Sequence, residues 1–204
     1  MSSTPAAPPS APVLGLLLAG GAGRRAGGAD KGLLPFGTTT LAGAAAGRLR
    51  PQVDRLLVAC NRNHADYSAL ADGIVCDRRP PYQGPLAGVE AVLPALPEGW
   101  LLALAPCDVP RLPADLVSGL RAALADRERA VAWARAHGRD HYLCALLTGS
   151  AAQGVTAYLD AGGRSVRGWY ATLAGGAVDF TGPASDFGNY NTGTAGRPPG
   201  RGIS

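Results

Sequence analysis

A glycine-rich segment, residues 20–32, carries the side chains best suited to chemistry. It follows an apolar run and contains Arg24, Arg25 and Lys31, the only lysine in the chain of 204 residues. Glycines let backbone N–H groups converge on an anion, because no Cβ blocks the approach and positive φ values cost little. Fixed cations nearby strengthen such contacts with phosphate. The segment therefore predicts a phosphate site, and a flexible surface loop is the alternative.

Two common phosphate-binding motifs describe this segment poorly. A Walker P-loop needs Gly-Lys followed by Ser or Thr, whereas Lys31 follows Asp30 and precedes a glycine. A dinucleotide fingerprint is nominally present as GAGRRA at residues 21–26, but that motif must open a helix and needs an acid about 20 residues later. Further glycines oppose the helix, and no Asp or Glu lies between Asp30 and Asp54. Hydride-transfer chemistry is therefore a minor hypothesis.

Asp108 is the residue best placed to hold a metal ion. The segment APCDVPRLP, residues 105–113, follows a predicted strand, and its prolines keep the chain out of a helix. Ligands bind at the carboxyl ends of strands in open α/β sheets. Mg²⁺ usually takes one or two carboxylates together with substrate phosphates. We therefore predict that Asp108 holds Mg²⁺, and capping of the next helix is the alternative.

The elements that must position these residues alternate between apolar runs of strand length and segments of helical spacing. This pattern is typical of βαβ units, in which helices cover both faces of a parallel sheet. The sequence HGRD at residues 137–140 separates two further apolar runs and predicts a hairpin turn, so an antiparallel element joins the sheet. We predict a single α/β domain with a Rossmann-like three-layer arrangement, a mostly parallel central sheet and one antiparallel hairpin element.

The predicted boundaries follow from the same pattern. Strands are expected at residues 13–19, 55–60, 73–76, 100–105 and 177–180, with hairpin strands at 130–136 and 141–147. Helices are expected at residues 40–49, 65–71, 86–96, 114–126, 150–161 and 164–172. We expect a disordered tail over residues 1–12, one folded domain over 13–192 and a flexible tail over 193–204.

Composition excludes several classes of protein. The formal net charge of +4 is spread along the chain, and no Lys/Arg run reaches the roughly 5–8 residues of a nucleic-acid patch. The apolar run over residues 13–19 is too short to span a membrane, and the residues before it lack the positive start of a secretory signal. We expect a cytoplasmic protein that binds neither nucleic acid nor membrane. Because CxxC spacing is absent, buried thiols are predicted at Cys60, Cys76, Cys107 and Cys144.

The sequence LAGGAGRRAGGADKGL, residues 18–33, resembles the signature of the molybdenum cofactor guanylyltransferases of MobA type. These nucleotidyltransferases use an NTP and release pyrophosphate. Their pattern is close to LAGG-x-x-x-R-M-G-G-x-D-K-G-L, and Ala26 replaces the usual methionine. The resemblance continues through GPLAG at residues 84–88, CDVPRLP at 107–113, GRDH at 138–141 and DFGNYNT at 186–192. The chain departs from the pattern after residue 192, where the family continues into a helix.

This resemblance implies transfer of GMP from GTP to the terminal phosphate of molybdenum-molybdopterin, with Mg²⁺ as cofactor. It also implies molybdoenzyme chaperones or other proteins of molybdenum cofactor biosynthesis as partners. The residues assigned to catalysis are Lys31, Arg25 and Asp108. The residues assigned to the nucleotide are Leu18, Ala19, Gly20, Gly21, Gly23, Lys31, Asn61, Asp77, Gly84, Gly88 and Asp108. The residues assigned to the pterin phosphate are Arg139, Arg164, Asn189 and Asn191.

Two of these assignments also have a direct chemical reason. The Asn61 amide offers a donor and an acceptor, and the Asp77 carboxylate could accept two N–H groups of a guanine edge. As residues at strand ends, both are equally typical of turns. A cytidylyltransferase for the same pterin, a sugar-phosphate nucleotidyltransferase and a non-catalytic nucleotide-binding adaptor stay open. The GPLAG element and the Asn-x-Asn ending favour the guanylyl enzyme.

Overall fold

A central sheet of seven strands organises the part of the chain that the computed structural model describes, residues 11–19, 30–79, 84–126, 128–183 and 186–190. In chain order the strands are β1 (Val13–Leu18), β2 (Pro35–Phe36), β3 (Thr39–Thr40), β4 (Arg55–Ala59), β5 (Gly73–Val75), β6 (Leu101–Pro106), β7 (Val131–Ala136), β8 (Arg139–Thr148) and β9 (Gly175–Asp179). The sheet order is β5-β4-β1-β6-β8-β7-β9, while β2 and β3 form a separate two-stranded hairpin.

The sheet is mostly parallel, as the sequence predicts. The strand β1 pairs in parallel with β4 and β6, β4 with β5, and β7 with β9. Only β8 runs antiparallel to its neighbours β6 and β7 within the described sheet. The carboxyl ends of β1, β4, β5 and β6 therefore share one edge, which is where an open α/β sheet binds ligands.

Helices cover both faces of the sheet and complete the predicted three layers. They are α1 (Leu41–Leu49), α2 (His64–Ser68), α3 (Pro85–Val92), α4 (Leu116–Ala123), α5 (Gly149–Gln153), α6 (Val155–Asp160) and α7 (Val166–Tyr170). Apolar residues of α1 and α4 pack in one core, and those of α3, α5, α6 and α7 pack in another. All six residues of β1 are buried, and its side chains alternate between these two cores. This two-sided burial explains why the strand reads as a continuous apolar run.

The predicted hairpin is confirmed, but its turn is shorter than expected. Only His137 and Gly138 form the turn, with φ values of 50° and 71°. Positive φ at both central residues suits the two-residue turn that matches the twist of paired strands. Arg139 and Asp140, which we expected in the turn, are the first residues of β8. Arg139 therefore has a fixed position in the sheet.

Two further expectations need correction, and one element was missed. The single helix predicted over residues 150–161 is two helices, α5 and α6, which meet at Gly154. The short hairpin of β2 and β3 was not predicted. Cys76 is exposed, whereas the thiols of Cys60, Cys107 and Cys144 are buried as expected. Among the described helices, none combines the length and the apolar character needed to cross a membrane.

Candidate active site

Lys31 and Asp108 meet at the carboxyl edge of the sheet. Lys31 begins a short 3-10 helix at the end of the glycine-rich segment, and Asp108 lies two residues beyond β6. Although 77 positions separate them, Lys31 Nζ donates a hydrogen bond of 2.6 Å to Asp108 Oδ2. Their side chains are 28% and 21% exposed, respectively. The two residues that the sequence assigns to phosphate and metal therefore form one partly accessible ion pair.

The backbone around Asp108 is fixed from two directions. The amide of Cys107 donates to the carbonyl of Leu18 over 3.1 Å, which ties the segment to the end of β1. The amide of Tyr190 donates to the carbonyl of Asp108 over 3.0 Å. The Tyr190 ring packs edge-on against Phe36 at a centroid distance of 4.9 Å. The C-terminal segment that the family resemblance includes thus reaches the residue expected to hold the metal.

Asp30 holds the turn that presents Lys31. Its Oδ1 accepts hydrogen bonds from the Tyr67 hydroxyl over 2.6 Å and from the Gly32 amide over 3.1 Å. Its Oδ2 accepts from Asn63 Nδ2 over 2.8 Å and lies 3.4 Å from Arg62 Nε. The Asp30 side chain is only 7% exposed. Sequence reasoning assigned no function to these partners, because nothing in residues 62–67 marks them as neighbours of residue 30.

Tyr67 is buried beneath the same turn. The ring belongs to the core on the α1 side of the sheet, and desolvation together with the hydrogen bond to Asp30 raises the pKa of its hydroxyl. A Cβ placed on Gly32 would collide with the Tyr67 hydroxyl and lie 3.2 Å from Cys107 Sγ. Close packing therefore requires glycine at position 32. The sequence motif alone gave no reason for a glycine there.

Asn61 and Asp77 form a reciprocal pair at the ends of β4 and β5. Asn61 Nδ2 donates to Asp77 Oδ2 over 2.8 Å, and the Asp77 amide donates to Asn61 Oδ1 over 2.9 Å. The pair is solvent-accessible. The structure thus brings together the two side chains that the sequence assigns to guanosine.

An arginine fixes the chain that follows Asp77. Arg79 donates to both carboxylate oxygens of Glu90 over 2.7 and 2.6 Å and to Asp160 over 2.7 Å. Glu90 lies on α3 and is buried, and the guanidinium of Arg79 lowers the pKa of its carboxyl. Sequence reasoning missed this cluster, although a single acid inside the apolar helix sequence PLAGVEAV was a readable signal.

Four other described residues were assigned to the nucleotide, and they lie at the end of β1 and in or next to α3. Leu18 and Ala19 are buried at the end of β1. Gly84, with φ of 84°, precedes α3. A Cβ on Gly88 would lie 3.0 Å from both Ala59 Cβ and Leu18 Cδ2, so this glycine lets α3 approach the sheet closely. Contact of these residues with a nucleotide stays a prediction.

The described residues that were predicted to bind the pterin have different neighbours. Arg164 donates to the carbonyls of Leu159 and Gly163 and lies beside Gly84. Arg139 and Asn189 each lie two positions from the stacked rings of His141 and Phe187, whose centroids are 4.8 Å apart. The structure does not test their common role. Gly20, Gly21, Gly23, Arg25 and Asn191 lie outside the described residues.

The comparisons with known proteins define the class first. A family model described as a MobA-like NTP transferase domain matches residues 15–174. The fold is thus that of a nucleotidyltransferase. The chain belongs to the MobA-like NTP transferase family.

Relatives of high coverage support this membership. A molybdenum cofactor guanylyltransferase from Burkholderia ambifaria is 45% identical over 183 residues, which cover 85% of this chain and 89% of that protein. A second protein of that name, from Ralstonia nicotianae, is 37% identical over 193 residues and covers 90% of this chain and 94% of its own. The crystal structure of molybdopterin-guanine dinucleotide biosynthesis protein A from Archaeoglobus fulgidus shares the fold, with a TM-score of 0.66, 18% identity and coverage of 81% and 83%. The resemblance seen in the sequence motifs is confirmed.

Proposed function

We propose that this chain transfers GMP from GTP to the terminal phosphate of molybdenum-molybdopterin and releases pyrophosphate. The observation that carries the proposal is the 2.6 Å contact between Lys31 Nζ and Asp108 Oδ2 at the carboxyl edge of the sheet. It unites a cation for phosphate with a carboxylate for a metal ion. The guanine and pterin specificities rest on relatives that are named molybdenum cofactor guanylyltransferase.

The reaction needs placement and charge neutralisation more than acid–base chemistry. The acceptor phosphate must approach the α-phosphorus of GTP in line with the departing pyrophosphate. Two polyanions repel each other, so preorganised cations lower the barrier when charge develops on the leaving group. We assign this role to Lys31 and Arg25. The acceptor phosphate is already ionised, and no general base is required.

Asp108 fits a divalent ion that is shared with substrate. Among the residues that the structure describes, no group of three or more His, Cys, Asp or Glu side chains could hold a metal. A single carboxylate completed by phosphate oxygens and water is the donor set that Mg²⁺ commonly uses. When bound, Mg²⁺ supplies neutralisation of phosphate charge. Asp108 is accessible enough to take this role because its side chain is 21% exposed.

We propose that the Asn61–Asp77 pair recognises the base of the nucleotide. The mutual hydrogen bonds fix the orientation of both side chains before a nucleotide arrives. Asp77 Oδ1 and the remaining lone pairs of its carboxylate stay able to accept N–H groups. Guanine offers two such donors on its Watson–Crick edge, whereas cytosine offers one amino group. This difference supports GTP as the substrate.

A panel of nucleotides tests the proposal. Purified protein with molybdopterin and Mg²⁺ is given GTP, CTP, ATP or UTP, and pyrophosphate release is measured. We expect release with GTP and formation of the guanine dinucleotide. Pyrophosphate release with CTP alone would show that the chain is a cytidylyltransferase instead. Binding of GTP without release would identify a nucleotide-binding adaptor.

The location of the reaction is part of the same proposal. Three of the four cysteines are buried free thiols, and none of the four forms a disulfide. Free thiols are typical of reducing compartments, so we place the reaction in the cytoplasm.

A further inference from the structure

We propose that Asp30 and Tyr67 are positioning residues, which hold Lys31 in the orientation needed for phosphate contact. This proposal rests on the proposed function only because that function assigns phosphate binding to Lys31. The positioning itself follows from contacts among described residues and has its own readout.

Asp30 is committed to the protein and is not available to a ligand. Oδ1 accepts hydrogen bonds from two donors, and Oδ2 accepts from one and faces the Arg62 guanidinium at 3.4 Å. With only 7% of the side chain exposed, both oxygens have their partners inside the fold. Of the two carboxylates beside Lys31, Asp30 orders the chain, while Asp108 stays partly accessible.

Both sequence neighbours of Lys31 are fixed by this arrangement. Asp30 caps the 3-10 helix Lys31–Leu33 by accepting from the Gly32 amide. Gly32 lies against the Tyr67 hydroxyl and Cys107 so closely that a Cβ does not fit. With residues 30 and 32 held, the Cα of Lys31 has a defined position and the side chain points to Asp108. Preorganisation of this kind spares the reaction the cost of ordering the cation.

The residues that hold Asp30 belong to the same short segment as Asn61. Asn63 and Tyr67 reach Asp30, while Asn61 pairs with Asp77. Asn63 adopts a left-handed conformation with φ of 54° at the start of α2, a conformation that asparagine tolerates better than most residues. A single segment, residues 61–67, therefore connects the proposed base site with the proposed phosphate site.

The chain offers a direct readout because Lys31 is its only lysine. Protein grown with [ε-¹³C]lysine gives one side-chain ¹³C–¹H NMR signal, which reports Lys31 alone. The variants are Tyr67→Phe, which removes only the hydroxyl, and Asp30→Asn. Tyr170→Phe is the matched control, because Tyr170 is also buried but its hydroxyl has no hydrogen-bond partner within the described residues. Asp108→Asn serves as the reference for a broken ion pair.

We expect the Lys31 signal of Tyr67→Phe and Asp30→Asn to move toward that of Asp108→Asn or to broaden, and kcat to fall about tenfold. Tyr170→Phe should match the wild type in both measurements. An unchanged Lys31 signal in both test variants overturns the proposal, whatever their activity. If the Lys31 signal moves but the wild-type protein releases no pyrophosphate, the positioning proposal is supported and the proposed function is refuted.

Discussion

Replacement of Gly32 by alanine tests whether the turn that carries Lys31 is as tightly packed as the structure indicates. A Cβ at this position collides with the Tyr67 hydroxyl and comes within 3.2 Å of Cys107 Sγ. Tyr67 is fully buried, so its ring has no space to swing into solvent. Gly32 is not among the residues with positive φ, and its backbone therefore accepts alanine. The cost of Gly32→Ala is steric.

The magnitude follows from two effects that act on the same atoms. An extra methyl group in a well-packed site costs about 1–3 kcal/mol. If the Tyr67 hydroxyl retreats instead, the lost hydrogen bond to a charged carboxylate costs about 1.5–3 kcal/mol. These are alternative ways to relieve one clash, so they do not add. We expect Gly32→Ala to lower the free energy of unfolding by about 2–3 kcal/mol and to reduce pyrophosphate release because Lys31 is displaced.

Urea unfolding measures the effect, and α1 supplies the control. Gly47 lies within α1, and a Cβ there meets nothing within 4 Å. Gly47→Ala should stabilise the protein by about 0.5–1 kcal/mol, because alanine restricts the unfolded chain and favours helix. The free energies of unfolding of the two variants can be compared directly if their urea m-values are equal, because the m-value reflects the surface exposed on unfolding. A Gly32→Ala protein as stable and as active as the wild type would refute the packing argument.

Four further predictions concern charge. Lys31→Ala should lose at least about tenfold in kcat/KM, since one charge-assisted phosphate contact is removed; steady-state pyrophosphate release checks this. Asp108→Ala should abolish Mg²⁺-dependent turnover while circular dichroism shows a retained fold, and normal turnover would remove the metal assignment. Asp77→Asn should narrow the preference for GTP over CTP in the nucleotide panel. Arg79 lowers the folded-state pKa of Glu90, so this carboxylate stabilises the fold above its ordinary pKa of 4.5 and loses that effect as pH falls through the lower folded value. The stability difference between wild type and Glu90→Gln, measured by urea unfolding, should shrink on acidification below pH 4.5.

The fold was predictable because strands that are buried on both faces of the sheet have a recognisable apolar sequence pattern. A strand such as β1, buried on every residue, reads as an unbroken apolar run, and such runs alternate with helical segments. The break at Gly154 was not predictable in the same way. Ala152 and Val155 on either side are both buried, so the apolar pattern continues through the point where one helix ends and the next begins.

The site was predictable where it depends on strand ends and not where it depends on tertiary contact. Lys31 and Asp108 each follow a strand, and the ends of adjacent parallel strands share an edge. Tyr67 had no such signal, because a tyrosine in a short helix is typical of any amphipathic turn. Its function is visible only when the hydroxyl is found 2.6 Å from Asp30 Oδ1.

The different surroundings of the two carboxylates beside Lys31 explain how one of them can exchange partners while the other cannot. Asp30 accepts three hydrogen bonds and faces an arginine, so removal of any partner would leave a nearly buried charge poorly compensated. Asp108 bonds through its side chain to Lys31 and keeps contact with solvent. Exchange of the Lys31 ammonium for another cation costs Asp108 little, because both states satisfy its charge. The Lys31 ammonium would then be available to a phosphate. It would stay at the carboxyl edge of the sheet, because Asp30 and Tyr67 hold the backbone of Lys31 in place.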